Sequence, residues 1–307
     1  MVTPAPVSAG PTGVFADWRE RHSSSLAEAR HDVRIFFRDK LALVGVAWIV
    51  LMIVVAIAAP WIAPYPDQGR GASDLASRFQ APSALHLFGT DNLGRDLLSR
   101  IIFGARIPLM ISSAVALAVL LIGPLLGALA GYYGGWLDEA IMRITDIFLA
   151  FPALVLAMAL VAILGPNLRN LAIAIIVTWW PWYTRLVRGM AVSLRERPYV
   201  EAAKTMGVRS PVIVARHILP NAFGPVVVQI SLDIGTIILE VAGLSFLGLG
   251  AQPPTPEWGL MVSDGVQYVL GQWWISFFPG LAIFFLVLSF NLVGDGLRDV
   301  LDPRMKR

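Results

Sequence analysis

The 307 residues include no cysteine, which excludes disulfides, thiolate metal sites and cysteine nucleophiles. The four histidines, His22, His31, His86 and His217, lie far apart without metal-site spacing and read as surface or packing residues, so no metal site is expected. No Gly-x-x-x-x-Gly-Lys-Ser/Thr stretch occurs, so the chain has no recognisable loop for cradling ATP phosphates. His-Glu-x-x-His is also missing. Gly243-Leu-Ser-Phe-Leu-Gly248 has one residue too many for a serine nucleophile elbow and reads instead as small-residue helix packing, which leaves an intramembrane hydrolase as the weakest reading. Charge is scarce, at 15% of residues, and no basic patch interleaves with aromatics, so no nucleic-acid partner is expected. The expectation is a chain with no enzymatic centre and no cofactor of its own.

Apolar residues dominate: 56% of the chain is hydrophobic and the mean hydropathy is +0.68, more than one soluble core can hide. A bilayer-crossing helix needs about 20 apolar residues. Six blocks qualify, about Leu41–Ala63, Ile107–Ala130, Ile144–Leu164, Leu171–Val187, Phe223–Leu249 and Phe277–Leu297. The fold class predicted is therefore all-α, a polytopic membrane protein with six transmembrane helices in residues 31–307. Residues 1–30, rich in Pro, Gly, Ser and Ala, read as a flexible cytoplasmic tail. Val33, Ile35, Phe36 and Phe37 among Arg34, Arg38 and Lys40 suit a helix at the inner interface. The first block begins too far along the chain for a secretory signal and reads as a retained span.

Charge orients the bundle. With both termini cytoplasmic, six Lys/Arg before the first span, Arg143, seven from Arg185 to Arg216 and four from Arg298 onward fall inside. The remaining six of 24 fall outside, and the stretch Ala251 to Ser276 has none. This follows the positive-inside rule, and the opposite orientation would violate it threefold. The +3 balance also favours contact with anionic lipid headgroups.

Between the fourth and fifth blocks lies a polar, basic island. Pro198 suits the first position of a helix, Glu201 sits in its first turn where the dipole favours a negative charge, and Gly207 reads as the stop. Ser210-Pro211 reads as N-cap and first residue of a second helix, which Pro220 discourages from continuing unbroken. The prediction is helix, glycine corner, helix. Tyr199, Ala202, Ala203 and Met206 recur at helical spacing, giving a narrow face that two alanines open to close approach. By itself that pattern also fits an amphipathic helix resting on the bilayer surface.

Glu201-Ala202-Ala203 followed by Gly207 and Leu219-Pro220 resembles the cytoplasmic EAA loop of ABC-importer permeases. His217 stands where many of them carry isoleucine. Gly89-Thr90-Asp91, Leu93-Gly94-Arg95-Asp96 and Ser99-Arg100 resemble the outer segment of the permeases that serve dipeptide, oligopeptide and nickel importers. Leu244-Ser-Phe-Leu-Gly-Leu-Gly250, Gln252-Pro-Pro254 and Trp258-Gly259 are similar to the same family near the end of its fifth span. With Tyr183-Thr-Arg185, Arg188 and Arg216-His-Ile-Leu-Pro-Asn221, the resemblance runs from about Phe36 to the C-terminus, and the "C"-type subunit is the closer fit.

The resemblance implies one permease half of an importer in the cell membrane. A second homologous permease would pair with it, and two separate ATPase subunits would bind ATP and Mg and grip Glu201, Ala202, Ala203, Gly207, Leu219 and Pro220. An extracytoplasmic substrate-binding protein would dock on the outer loops near Gly89, Asp91, Gly94, Arg95 and Asp96. Peptide is the expected cargo and nickel or a nickel chelate the alternative, because a nickel path calls for convergent imidazole, thiolate or carboxylate ligands. The rival class is a self-sufficient secondary transporter coupling ions at Asp233 or Glu240, which should show broken helices in a repeat pair.

Ionisable residues inside apolar blocks carry a cost and so draw notice. Arg143 and Asp146 are expected to pair along one helix face. Asp233 and Glu240, seven apart on one face, are the pathway candidates. Glu240 is the better of the two, with a hydrogen bond to a neighbouring helix as its plainer reading. Asp295 is expected to be solvated. Trp179, Trp180, Trp182, Trp258, Trp273 and Trp274 read chiefly as an interfacial belt, with peptide contact as the second reading for one or two.

Overall fold

The computed structural model describes residues 36, 37 and 39–301, so the predicted tail and most of the predicted interfacial helix lie outside the described residues. The regular elements among these residues are helices, without a strand among them: α1 (Lys40–Ile62), α2 (Pro66–Gly69), α3 (Leu97–Gly104), α4 (Arg106–Tyr133), α5 (Gly135–Leu149), α6 (Ala153–Leu164), α7 (Leu168–Arg195), α8 (Pro198–Thr205), α9 (Ser210–Ile213), α10 (Leu219–Phe246), α11 (Trp258–Val266) and α12 (Trp274–Leu301). Asp39 starts α1 by accepting hydrogen bonds from the Leu41 and Ala42 amides.

Four stretches are long and apolar enough to cross a membrane: Lys40–Ile62, Leu97–Tyr133, Ser210–Phe246 and Trp274–Val300. The predicted third span is not a straight helix. It divides into α5 and α6, bent by 88°, and would be a fifth crossing only if the pair counts as one. Pro152 explains the break, since it cannot donate to the preceding turn and biases Phe151 away from helical geometry. The predicted fourth span is a 28-residue helix, α7, whose middle and C-terminal part carries Trp179, Trp180, Trp182, Tyr183, Arg185 and Arg188, and it is not among the stretches apolar enough to cross by composition. Packing along α4 buries Tyr183 and Thr184, whereas Trp182 and Arg185 stay exposed.

That packing is set by glycines spaced four apart. A β-carbon on Gly123, Gly127 or Gly131 of α4 would come within 2.4–2.6 Å of Tyr183 Cβ, Thr184 O or Arg188 O of α7. Only glycine lets the two backbones meet this closely, and the Thr184 hydroxyl donates to Gly123 O across the contact.

The connection between α1 and α4 joins α11 as a cap over one end of the bundle. Trp258 and Trp274, assigned from sequence to an interfacial belt, are buried here, their indole N–H groups donating to Ile101 O and Thr90 O. They fasten the cap to the helices. At the opposite end lie α8, α9 and the C-terminal turns of α4 and α7.

Candidate functional site

Three regions hold the residues singled out in the sequence: the short helices at the basic end, the middle of the α7–α10 contact, and the cap.

At the basic end, α8 begins at Pro198 and stops at Gly207, whose φ of +78° is the left-handed conformation that L side chains avoid. The Gly207 amide donates to Lys204 O and the Val208 amide to Ala203 O, the paired bonds of a Schellman stop. A β-carbon on Gly207 would meet nothing, so conformation rather than space requires the glycine. The helix–corner–helix prediction matches this geometry, with two corrections. Arg209, not Ser210, occupies the cap of α9, and the chain stays helical through Pro220 by widening into a π turn at Val214–Ile218. The π turn absorbs the amide that Pro220 lacks. Second, the two alanines do not share a face. Ala203 and Val200 are buried in the bundle, whereas Glu201, Ala202, Tyr199 and Met206 are exposed. Ala203 therefore anchors α8 to its own chain, with Ile213 and Ile218 in the same core.

The neighbouring basic residues divide by function. Arg188 grips Asp138 through two 2.6 Å bonds, Arg195 donates to Gly131 O, and Arg185 pairs with Asp146. These three fix α7 to its neighbours. The expected Arg143–Asp146 pair is absent, because α7 brings Arg185 to Asp146 and Arg143 turns to Glu139, one helical turn back at 3.3 Å. Arg197, Arg209 and Arg216 remain exposed on the same end.

In the middle of the bundle, α10 turns both candidate carboxylates toward α7. Asp233 accepts from the Tyr183 hydroxyl at 2.6 Å and from Gln229 Nε2 at 3.1 Å, and Glu240 accepts from Trp179 Nε1 at 2.8 Å. Glu240 thus has the helix-to-helix bond of its plainer reading. Asp233 lines a half-open cavity of about 330 Å³ with Thr178, Trp179, Trp182, Tyr183 and Gln229, a wall that Glu240 does not reach. Of the two pathway candidates, Asp233 is the one that borders this cavity. Trp179 and Trp182 leave the belt for this wall, and Tyr183 and Gln229 join a site for which neither was singled out. Asp295 is exposed, as expected.

In the cap, the Asp91 carboxylate accepts from the Leu93 and Arg95 amides, from Arg95 Nε at 2.7 Å and from Arg100 Nη1 at 2.6 Å. Asp96 caps α3 by accepting from the Ser99 amide and lies 2.9 Å from His86 Nδ1. The side chains of Asp91, Arg95, Asp96, Arg100 and His86 are all buried. Gly89 and Gly94 sit where a β-carbon would strike Gln80 O or Asp74 O. The residues expected to meet a docking protein are therefore turned inward, where they hold the cap's shape. Burial also pushes the nearby Asp264 carboxyl upward, with Arg100 and Arg95 pulling it back. Among the described residues, no cluster of His, Asp or Glu could hold a metal ion.

Comparison with known proteins accounts for this combination of parts. Residues 123–307 match the family described as binding-protein-dependent transport system inner membrane component, and residues 30–82 match the N-terminal TM domain of oligopeptide transport permease C. The chain is 45% identical over 309 residues to the dipeptide transport system permease protein DppC of Alkalihalophilus pseudofirmus, covering 100% of this chain and 97% of that one. It is 49% identical over 256 residues to the probable D,D-dipeptide transport system permease protein DdpC of Escherichia coli K12, covering 83% and 85%. It is 44% identical over 273 residues to the glutathione transport system permease protein GsiD of Pectobacterium atrosepticum, covering 89% and 90%. Among solved structures, an inward-facing form of the MetNI methionine ABC transporter aligns with a TM-score of 0.52 at 22% identity, over 66% of this chain and 97% of that one, a likeness of fold alone.

Proposed function

The chain belongs to the binding-protein-dependent transport system inner membrane components, as a C-type peptide permease, and we propose that it works as one membrane half of an ATP-driven importer for dipeptides or oligopeptides. Its full-length likeness to dipeptide and glutathione permeases carries the peptide reading. ATP and Mg belong to two separate ATPase subunits, and a second homologous permease completes the pathway. An extracytoplasmic binding protein delivers the cargo to the cap.

In this reading α8 is the coupling lever. Glu201, Ala202 and the rest of its exposed side meet the ATPase, while Val200 and Ala203 tie it to the core that contains Ile213 and Ile218. Closure of the ATPases pushes on the exposed side, and the buried side passes the displacement to α7 and α10, which wall the cleft. Leu219 and Pro220 follow the π turn at the start of α10, where the helix is least regular. The six-crossing topology counts the α5–α6 pair and α7 as crossings and puts α8 in the cytoplasm, with both termini on that side. The excess of Lys and Arg at the α8 end supports this orientation.

Two measurements test the reading. With the partner subunits and binding protein reconstituted, short peptides should stimulate ATP hydrolysis, whereas nickel salts and nickel chelates should not. Stimulation by nickel species alone would overturn the peptide assignment, and ion-gradient-driven uptake by this chain alone would overturn the permease reading. For topology, the absence of native cysteine permits single introduced thiols. Ser83→Cys in the cap should react with an impermeant maleimide in intact cells, and Glu196→Cys beside α8 should not. The reverse labelling would invert the orientation.

A further inference from the structure

We propose that the cleft between α7 and α10 receives the free α-ammonium group of a peptide on the Asp233 carboxylate, with the Trp182 indole as the adjoining wall. The proposal rests on the peptide reading and names the contact that the permease itself makes with its cargo. Asp233 lies near the middle of the 28-residue α10, and its neighbour Tyr183 near the middle of the 28-residue α7. At that depth an ionisable side chain without a partner is costly, and such residues face protein or a polar path. Among the described residues, no Lys, Arg or His nitrogen lies within ion-pairing distance of Asp233 or Glu240.

The two carboxylates differ in what lies in front of them. Glu240 is bonded to the Trp179 indole and lines no part of the cavity, whereas Asp233 opens into it. Tyr183 and Gln229, which line the same cavity, donate to the Asp233 carboxylate and fix its orientation without supplying positive charge. The missing cation is a ligand's. Trp182 is 61% exposed and lines the same space, and an indole face attracts an ammonium group. At about 330 Å³ the cavity falls within the roughly 300–1,000 Å³ of small-ligand sites. A second cavity of about 270 Å³ shares Ala153, Thr178 and Trp182 with the first and contains Phe148 and Arg185. The remainder of a peptide has this adjoining space to follow, where Phe148, Phe151 and Trp182 stand beside the polar Thr178 and Arg185, a mixed wall that suits varied side chains while the common ammonium end is read by charge.

The test uses the assembled complex in lipid nanodiscs without its binding protein, with Ala153→Cys as the only thiol of this chain and its alkylation followed by mass spectrometry. Alanyl-alanine should slow alkylation, and N-acetyl-alanyl-alanine should not. Asp233→Asn should weaken the protection about tenfold or more, the scale of one hydrogen bond to a charged group, and Asp233→Glu should retain it. Equal protection by the acetylated peptide, or no protection by either, would overturn the proposal without any change at Asp233. Unchanged protection in Asp233→Asn would overturn it as well. Binding-protein-dependent dipeptide uptake by the unsubstituted complex separates the two readings. If uptake occurs without amine-dependent protection, only the Asp233 contact falls, and if no dipeptide is taken up, the peptide assignment falls with it.

Discussion

Asp91→Ala is expected to lower the stability of the cap by about 3–5 kcal/mol, the cost of removing one partner from a buried ion pair. Asp91 answers two guanidinium groups at once, and both Arg95 and Arg100 are 2% exposed. Alanine would leave them facing one another in a site that water does not reach, and would strip an acceptor from the Leu93 and Arg95 amides. The consequence should spread beyond the loop, because Thr90 O receives the Trp274 indole that joins the cap to α12. A lowered unfolding temperature in detergent and faster proteolysis between residues 64 and 106 would register the loss. An unfolding temperature equal to wild type, together with weaker capture of the binding protein, would instead show that Asp91 works at the docking surface.

The second large effect is expected at α8, the proposed lever. Gly207→Val places a β-branched side chain at φ +78°, a conformation that costs roughly 1–2 kcal/mol for any L residue and more for a branched one. The corner should shift, and transport with peptide-stimulated ATP hydrolysis should fall by about tenfold or more, since each 1.4 kcal/mol misplaced at the coupling step is a factor of ten. Glu201→Lys separates contact from folding. Glu201 is exposed in the first turn of α8, where reversing its charge costs the helix only about 0.3–1 kcal/mol. A comparable loss of transport there, with normal membrane insertion, would therefore reflect a broken contact with the ATPase. Wild-type coupling in both variants would show that α8 is not the lever.

The two regions differ in how much of them could be read from the sequence. The α8 corner was legible almost to the residue, because Pro198, Glu201 and Gly207 act through local backbone chemistry that needs no distant partner. Spacing groups Ala203 with Tyr199, Ala202 and Met206, yet Ala203 is buried, since helical spacing tells which residues share a side but not which side meets the chain's own core. Arg143 and Asp146 were paired for the same reason: their spacing permits the bond, and Arg185, 39 residues away from Asp146, takes it.

Composition and pattern by themselves determined the membrane class, the first, second, fifth and sixth apolar blocks, the helix–corner–helix segment and the family, all of which rest on local hydropathy, backbone preference or motif spelling. Tertiary structure decided the rest. It bent the third block at Pro152, packed α7 against the glycines of α4, turned Asp91, Arg95, Asp96 and Arg100 inward, and opened a cavity onto Asp233 rather than Glu240. Each of these depends on which helix stands next to which, and a charge or an aromatic ring in this chain acquires its role from the neighbour across the contact, a property that spacing along one strand of sequence does not contain.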